Sequence, residues 1–304
     1  MRLAAISVDL DEIPNYFAIH GLPPPQGASA HAVYDVAIRR LESFARQHDL
    51  PLTLFAVGAD MARDESARRL REMAGRGHEI GNHSLDHRYD LTRLPVDEMR
   101  RQVESGITVL EGATGQRPSG FRAPGYTITD DLVRVIEDAG VAYDSSVFPC
   151  PPYYLAKAAA MASIRLRGRR SRSVIDAPSV LAAPTRPYRM GARYFQRGSG
   201  LVELPIQVTR GVRLPFIGTT LTLAGERRAR WLTRRVVGEP LVNLELHGID
   251  VLDAADGLEA LRPHQPDVRV GVLHKLAALG AVIETLNSAG YSFVRLDEAA
   301  GRAV

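Results

Sequence analysis

"GHEIGNHSLDH", residues 77 to 87, packs a strand and a polar loop into one short stretch. "GHEIGNH" is apolar-containing, punctuated by glycine and too short for a helix, so it reads as a buried strand. Its flanks decide the fold. A helix around Ala67 to Gly75 precedes it, and another from Pro95 to about Thr114 follows, its Leu94-Pro95-Val96-Asp97 entry placing proline where a first turn tolerates it. A strand between two helices is one step of a βα alternation. His83 and His87, four apart at its end, are either metal ligands or two polar residues on a surface turn.

Outward from this stretch the alternation repeats. Towards the N-terminus, "RLAAISVDL" is a buried first strand ending in acids, followed by the Pro/Gly loop "PNYFAIHGLPPPQGAS". The run from His31 to His48 has helical periodicity, with Val33, Ile38, Leu41 and Phe44 on its apolar face, and "LPLTLFAVG" is a second strand closed by Gly58. Towards the C-terminus, "PSGFRAPGY" supplies strand and loop, "TDDLVRVIEDAG" a helix opened by Thr129 or Asp130 and stopped by Gly140, and "VAYDSS" another strand. Repeated βα units predict a mostly parallel sheet or barrel. From about 150 to 235 the pattern breaks into a basic, loop-rich insertion carrying one or two strands, with a helix "ERRARWLTRRVV" at its end. The strand "LVNLELHGID", the helix "VGVLHKLAALGAVIETLNSAG" and the strand "YSFVRL" restore order. No internal repeat is visible, and the expectation is a single catalytic domain over 1–304.

Composition narrows the class. With 304 residues, 45% hydrophobic and 24% charged, the chain is an ordinary globular protein. The lone Cys150 excludes an intrachain disulfide framework and a multi-cysteine metal cluster. "MRLAAISVDLDE" reaches an acid by position 9, too early for a signal-peptide core, and no run approaches the roughly 18 apolar residues of a membrane span. These features predict a cytoplasmic protein. Charge is uneven: from Lys157 to Glu239 there are 17 Lys and Arg against Asp176, Glu203, Glu226 and Glu239, whereas the whole chain carries only +3. Such a segment could draw a phosphate-bearing substrate or the anionic inner membrane surface, or could be a solvated face whose arginines pair with acids elsewhere. No nucleic-acid partner is expected.

In α/β architectures functional groups gather where the loops after parallel strands converge. Four such ends are polar here: Asp9 and Asp11, His83 and His87, Arg122 in "GFRAPGY", and His247 with Asp250 in "LELHGID". Two imidazoles and one carboxylate form a ligand set that leaves a position open on a divalent ion. Alone, a His-x-x-x-His pair says little; beside a strand-end Asp-x-Asp and a strand-end His it says much more.

With these motifs in this order, the chain resembles the polysaccharide deacetylase family, the NodB-homology domains of carbohydrate esterase family 4. "VDLDE" resembles a variant of the first motif, "HSLDH" the second and "FRAPGY" the third; "YDSSVFP", "LELHGID" and "LPLTLFAVG" resemble further conserved segments. The resemblance implies a distorted (β/α) barrel of about seven strands that hydrolyses an N-acyl group, expected to be N-acetyl, from an amino sugar; the cytoplasmic location expected above points to a glycan or glycoconjugate precursor, lipid- or nucleotide-linked, as its carrier. It implies that Asp11, His83 and His87 hold a divalent metal (Zn2+ first, then Co2+, Ni2+ or Mn2+), that Asp9 is the general base, that Arg122 orients Asp9 and keeps it ionised, and that His247 is the general acid. Asp250, three residues on, is expected either to keep His247 charged or to cap the following turn. His78 reads as a packed neighbour.

The chain departs from the family in two places. Leu10 separates the two aspartates, which suits a strand end with both carboxylates on one face, and Glu12 stands where glycine is usual. Gly125 interrupts the third motif, which leaves the role of Tyr126, a substrate contact or oxyanion donor in the family, open. Two other functions are compatible with the sequence: a deformylase or non-sugar amidohydrolase on the same fold, and a catalytically silent glycan- or lipid-binding protein. The complete set of Asp9, Asp11, His83, His87, Arg122 and His247 argues against the silent binder, which needs neither base nor acid.

Overall fold

Strand β1 (Arg2–Asp9) is buried from Leu3 onward on both faces, as a strand must be when it pairs on both edges and is covered by helices. It opens a series completed by β2 (Thr53–Ala56), β3 (Glu79–Asn82), β4 (Gly120–Phe121), β5 (Tyr143–Asp144), β6 (Tyr188–Met190), β7 (Arg197–Glu203), β8 (Leu241–His247) and β9 (Tyr291–Phe293). The computed structural model describes residues 2–302. Its sheet runs β6-β7-β5-β4-β3-β2-β1-β8, and every neighbour from β7 to β8 is parallel. That gives the seven expected barrel strands. Two more lie outside them: β6 pairs antiparallel with β7, and β9 lies beside the start of β1.

The sheet curls until its ends meet. Gln207 N donates to Asn243 O (3.1 Å), and Asn243 Nδ2 donates to Leu204 O (3.0 Å), so the segment after β7 is stitched to β8. Period-two alternation divides the side chains of β1: Leu3 and Ala5 pack inside with Phe55, Tyr143 and Leu241, while Ala4, Ile6, Val8 and Leu10 face the helices. The lower barrel is therefore apolar, and its upper interior is left for polar groups.

Ten α-helices lie among the described residues: α1 (Ile13–Ile19), α2 (Ile38–His48), α3 (Asp64–Gly75), α4 (Val96–Thr114), α5 (Asp130–Asp138), α6 (Pro151–Leu166), α7 (Gly218–Ala224), α8 (Glu226–Arg234), α9 (Val272–Ser288) and α10 (Leu296–Ala300). The helices read from periodicity are present, α5 opening on Thr129, whose Oγ1 accepts from Leu132 N (3.3 Å). The Arg-rich stretch 150–235 holds more order than its composition suggests. Pro151 and Pro152 sit in the first turn of α6, where their missing N–H groups cost nothing. β7, in the same stretch, is one of the parallel barrel strands. No helix among the described residues is long and apolar enough to cross a membrane.

Close packing at β4 gives a stability test. A Cβ at Gly120 would overlap the Cζ and Oη of Tyr143, a ring pinned by its hydrogen bond to Glu79 Oε1 (2.7 Å). Gly120→Ala is expected to destabilise by about 1–3 kcal/mol, the usual cost of overpacking a core. A thermal melt checks this, and an unchanged Tm would contradict it.

Candidate active site

The parallel register of β1 and β8 sets Asp9 opposite His247 and Ser7 opposite Glu245. All four belong to the inward-facing parity, so Asp9, Glu245 and His247 converge, their ligand-type atoms lying within 4.8 Å of one another. Asp11 keeps that parity one step beyond the strand end and is also buried.

Arg122, carried just past β4, fills the barrel centre with no solvent exposure. Its guanidinium donates from Nη1 to Asp9 Oδ1 (2.7 Å), from Nη2 to Ser7 Oγ (2.8 Å) and Ser145 Oγ (2.9 Å), and from Nε to Ser145 O (2.9 Å). The ring of Phe55 lies 4.3 Å beneath it. A charge this deep is tolerable only with such partners, and Asp9 is the one that neutralises it.

β3 delivers His83 and the loop after it returns His87. Ser84 and His87 have positive φ, +67° and +49°, conformations that cost a non-glycine residue roughly 1–2 kcal/mol each. Ser84 Oγ braces the turn by accepting from His87 N (3.2 Å). The result brings the two imidazole rings to 4.9 Å centre to centre. His83 Nδ1 lies 2.7 Å from Arg122 O, an atom that only accepts, so Nδ1 carries a proton and Nε2 is turned towards Asp11. That outer hydrogen bond is typical of a metal-ligating histidine.

The donor set suits a small divalent ion. His83 Nε2 is 3.2 Å from Asp11 Oδ1, and His87 Nε2 is 3.1 Å from Asp11 Oδ2. Donors bound at about 2.0–2.2 Å to one tetrahedral ion would lie a little over 3 Å apart. Asp11 Oδ1 and His87 Nε2 are buried and make no hydrogen bond, which a bound cation would remedy. Burial alone would raise the pKa of Asp11, but His87 and His83 outweigh it and hold the carboxyl well below its ordinary value.

Across the site, Glu245 was not singled out from sequence. Its Oε1 lies 2.9 Å from His247 Nδ1, and it has no solvent exposure. Burial would push the imidazole towards neutrality, yet Glu245 raises its pKa well above the ordinary value. The signal was present in "LELH": on a strand, a residue two before His247 shares its face. Asp250 takes the capping alternative, Oδ2 accepting from His247 N (2.9 Å) and Oδ1 from Thr219 Oγ1 (2.9 Å); the ring nitrogen that needs a carboxylate finds Glu245 instead. Tyr126 places its hydroxyl 3.3 Å from His247 Nε2, while its backbone N–H is used on Ala123 O (3.0 Å). His78 accepts from Leu52 N (3.1 Å), away from the site.

These groups open into a cavity of about 320 Å³ whose wall includes Asp11, His247 and four tyrosines, Tyr16, Tyr89, Tyr126 and Tyr153. α6 forms one side of it. Arg165, Arg169 and Arg170 border a different surface cleft.

Comparison with known proteins agrees with this arrangement. Residues 33–143 match the family model for polysaccharide deacetylase, a span that includes His83, His87 and Arg122. Over this span, somewhat more than a third of its length, the chain is similar to polysaccharide deacetylases. The chain is 23% identical over 157 residues to the peptidoglycan deacetylase of Helicobacter pylori, covering 50% of this chain and 53% of that protein. It is 32% identical over 97 residues to a chitooligosaccharide deacetylase of Bradyrhizobium sp., covering 32% and 43%. The matched region thus spans about half the length of these curated relatives. Its fold is that of a crystal structure described as a putative polysaccharide deacetylase from Mycobacterium smegmatis, with a TM-score of 0.61 at 19% identity, covering 99% of this chain and 89% of the other.

Proposed function

We propose that this chain is a member of the polysaccharide deacetylase family and a metal-dependent hydrolase that removes an N-acetyl group from an amino sugar. The observation that carries the reading is the placement of the Asp11–His83–His87 triad beside Asp9, with His247 next to Asp9 on the neighbouring strand.

Zn2+, or a neighbour such as Co2+, Ni2+ or Mn2+, held by Asp11, His83 and His87 would polarise the acyl carbonyl and acidify the attacking water. Asp9 takes the proton from that water. Its Oδ1 is occupied by Arg122, while Oδ2, 3.9 Å from His83 Nε2, is turned towards the ligand histidines. Arg122 holds the Asp9 carboxylate in place, so the base needs no reorientation. His247, protonated through Glu245, gives its proton from Nε2 to the departing amine nitrogen, which would otherwise leave as an unstable amide anion. Tyr126 holds the position of that nitrogen on His247. The products are a carboxylic acid and a free amino sugar.

Metal analysis of the purified chain, with acetate and formate release measured over a panel of N-acylated amino sugars, tests the reading and separates deacetylation from deformylation. His83→Ala is expected to lose metal affinity by more than the ~10–100-fold that follows loss of an outer-shell partner, with acetate release falling in parallel. Unchanged metal content in His83→Ala would overturn the ligand assignment, and formate release alone would change the acyl group.

A further inference from the structure

Besides His247, the cavity wall, which also carries the Asp11 carboxylate, includes one basic side chain among the described residues: Lys157, from the first half of α6. Its Nζ donates to Gly125 O (3.2 Å) and lies 5.6 Å from the ring centre of Tyr153. An ammonium has three donors, and among the described residues Lys157 forms no ion pair within 4.0 Å. The acid that acts on it most, Asp176, is committed to the N–H groups of Ile128 (3.4 Å) and Ala177 (2.7 Å). Burial pulls the lysine down to about 8.

A cation half-stripped of water and left with one backbone carbonyl is poorly compensated, and an arriving anion would supply what the protein does not. The rest of the wall is neutral: tyrosines, Ile217, and the hydroxyls of Ser173, Thr219 and Thr220. We infer that Lys157 makes this cavity selective for N-acylated amino sugars bearing an anionic substituent, a carboxylate or a phosphate, near the acylated nitrogen. The inference rests on the deacetylase reading for the position of that nitrogen and extends it to the substituent beside it. Charge-assisted hydrogen bonds of this kind are worth about tenfold to a hundredfold in affinity.

The test compares three probes on the full chain: N-acetylglucosamine, N-acetylmuramic acid with its carboxylate, and N-acetylglucosamine 1-phosphate. Calorimetric binding and kcat/KM are both read, for wild type, Lys157→Met and Lys157→Arg. The expected result is an anionic-over-neutral preference that falls about tenfold or more in Lys157→Met, mainly through KM, and is recovered in part by Lys157→Arg. Whichever anionic probe carries the preference identifies carboxylate or phosphate. A wild-type protein without preference, or a preference unchanged in Lys157→Met, overturns the inference; that is the outcome if the lysine only ties α6 to the Gly125 turn. Lys157-dependent binding of an anionic sugar without acetate release would instead sink the deacetylase reading alone.

Discussion

Asp9→Asn is expected to lower kcat by ~10²–10⁴, the range typical for removing a positioned general base, without emptying the metal site, because the proposed donors are Asp11, His83 and His87. Acetate release and metal content, measured on the same preparation, check the two halves of this statement. The amide keeps an oxygen for Arg122 Nη1 but not the charge that offsets the guanidinium, which is fully buried. Breaking a buried ion pair from one side usually destabilises by about 3–5 kcal/mol. The variant should therefore also melt earlier, and activity must be measured well below its Tm. Retention of wild-type kcat by a folded, metal-loaded Asp9→Asn would exclude Asp9 as the base.

Much of this site was legible because parallel strands impose simple rules. Period two placed Asp9 and Asp11 on one face, and strand-end position singled out His83, Arg122 and His247. What could not be read is anything set by register between distant strands. Glu245 pairs with His247 by parity within its own strand, but its proximity to Asp9 depends on how β8 aligns with β1. Asp250 was drawn towards His247 by its spacing in sequence; the turn after β8 sends its carboxylate to the backbone N–H instead. α6 was hidden for another reason. Its prolines and the arginines that follow have the composition of a loop, and only position, with both prolines in the first turn, makes a helix admissible. Lys157 was invisible as a cavity residue for the same reason.

The largest change in pH behaviour is expected from Glu245→Gln. Burial disfavours the His247 cation, and Glu245 overcomes that to raise the imidazole pKa well above its ordinary 6.5. In the proposed mechanism His247 acts as an acid in its protonated form, so wild-type activity should persist above the usual imidazole range and fall only as pH rises through the folded-state pKa. With Gln at 245 the carboxylate is gone while burial remains, so the pKa drops and the alkaline limb of kcat/KM moves to lower pH. At any pH above both limbs the rate falls about tenfold per unit of displacement. Stability moves in the same sense. A raised histidine pKa stabilises the fold fully below the unfolded value of 6.5 and loses that contribution as pH rises through the folded value. Glu245→Gln therefore forfeits stability at acidic pH, where His247 must still charge, and the Tm difference from wild type should narrow as pH rises. A pH–rate profile whose alkaline limb stays in place in Glu245→Gln would show that His247 is not the group titrating there, and the proton for the leaving amine would have to come from elsewhere.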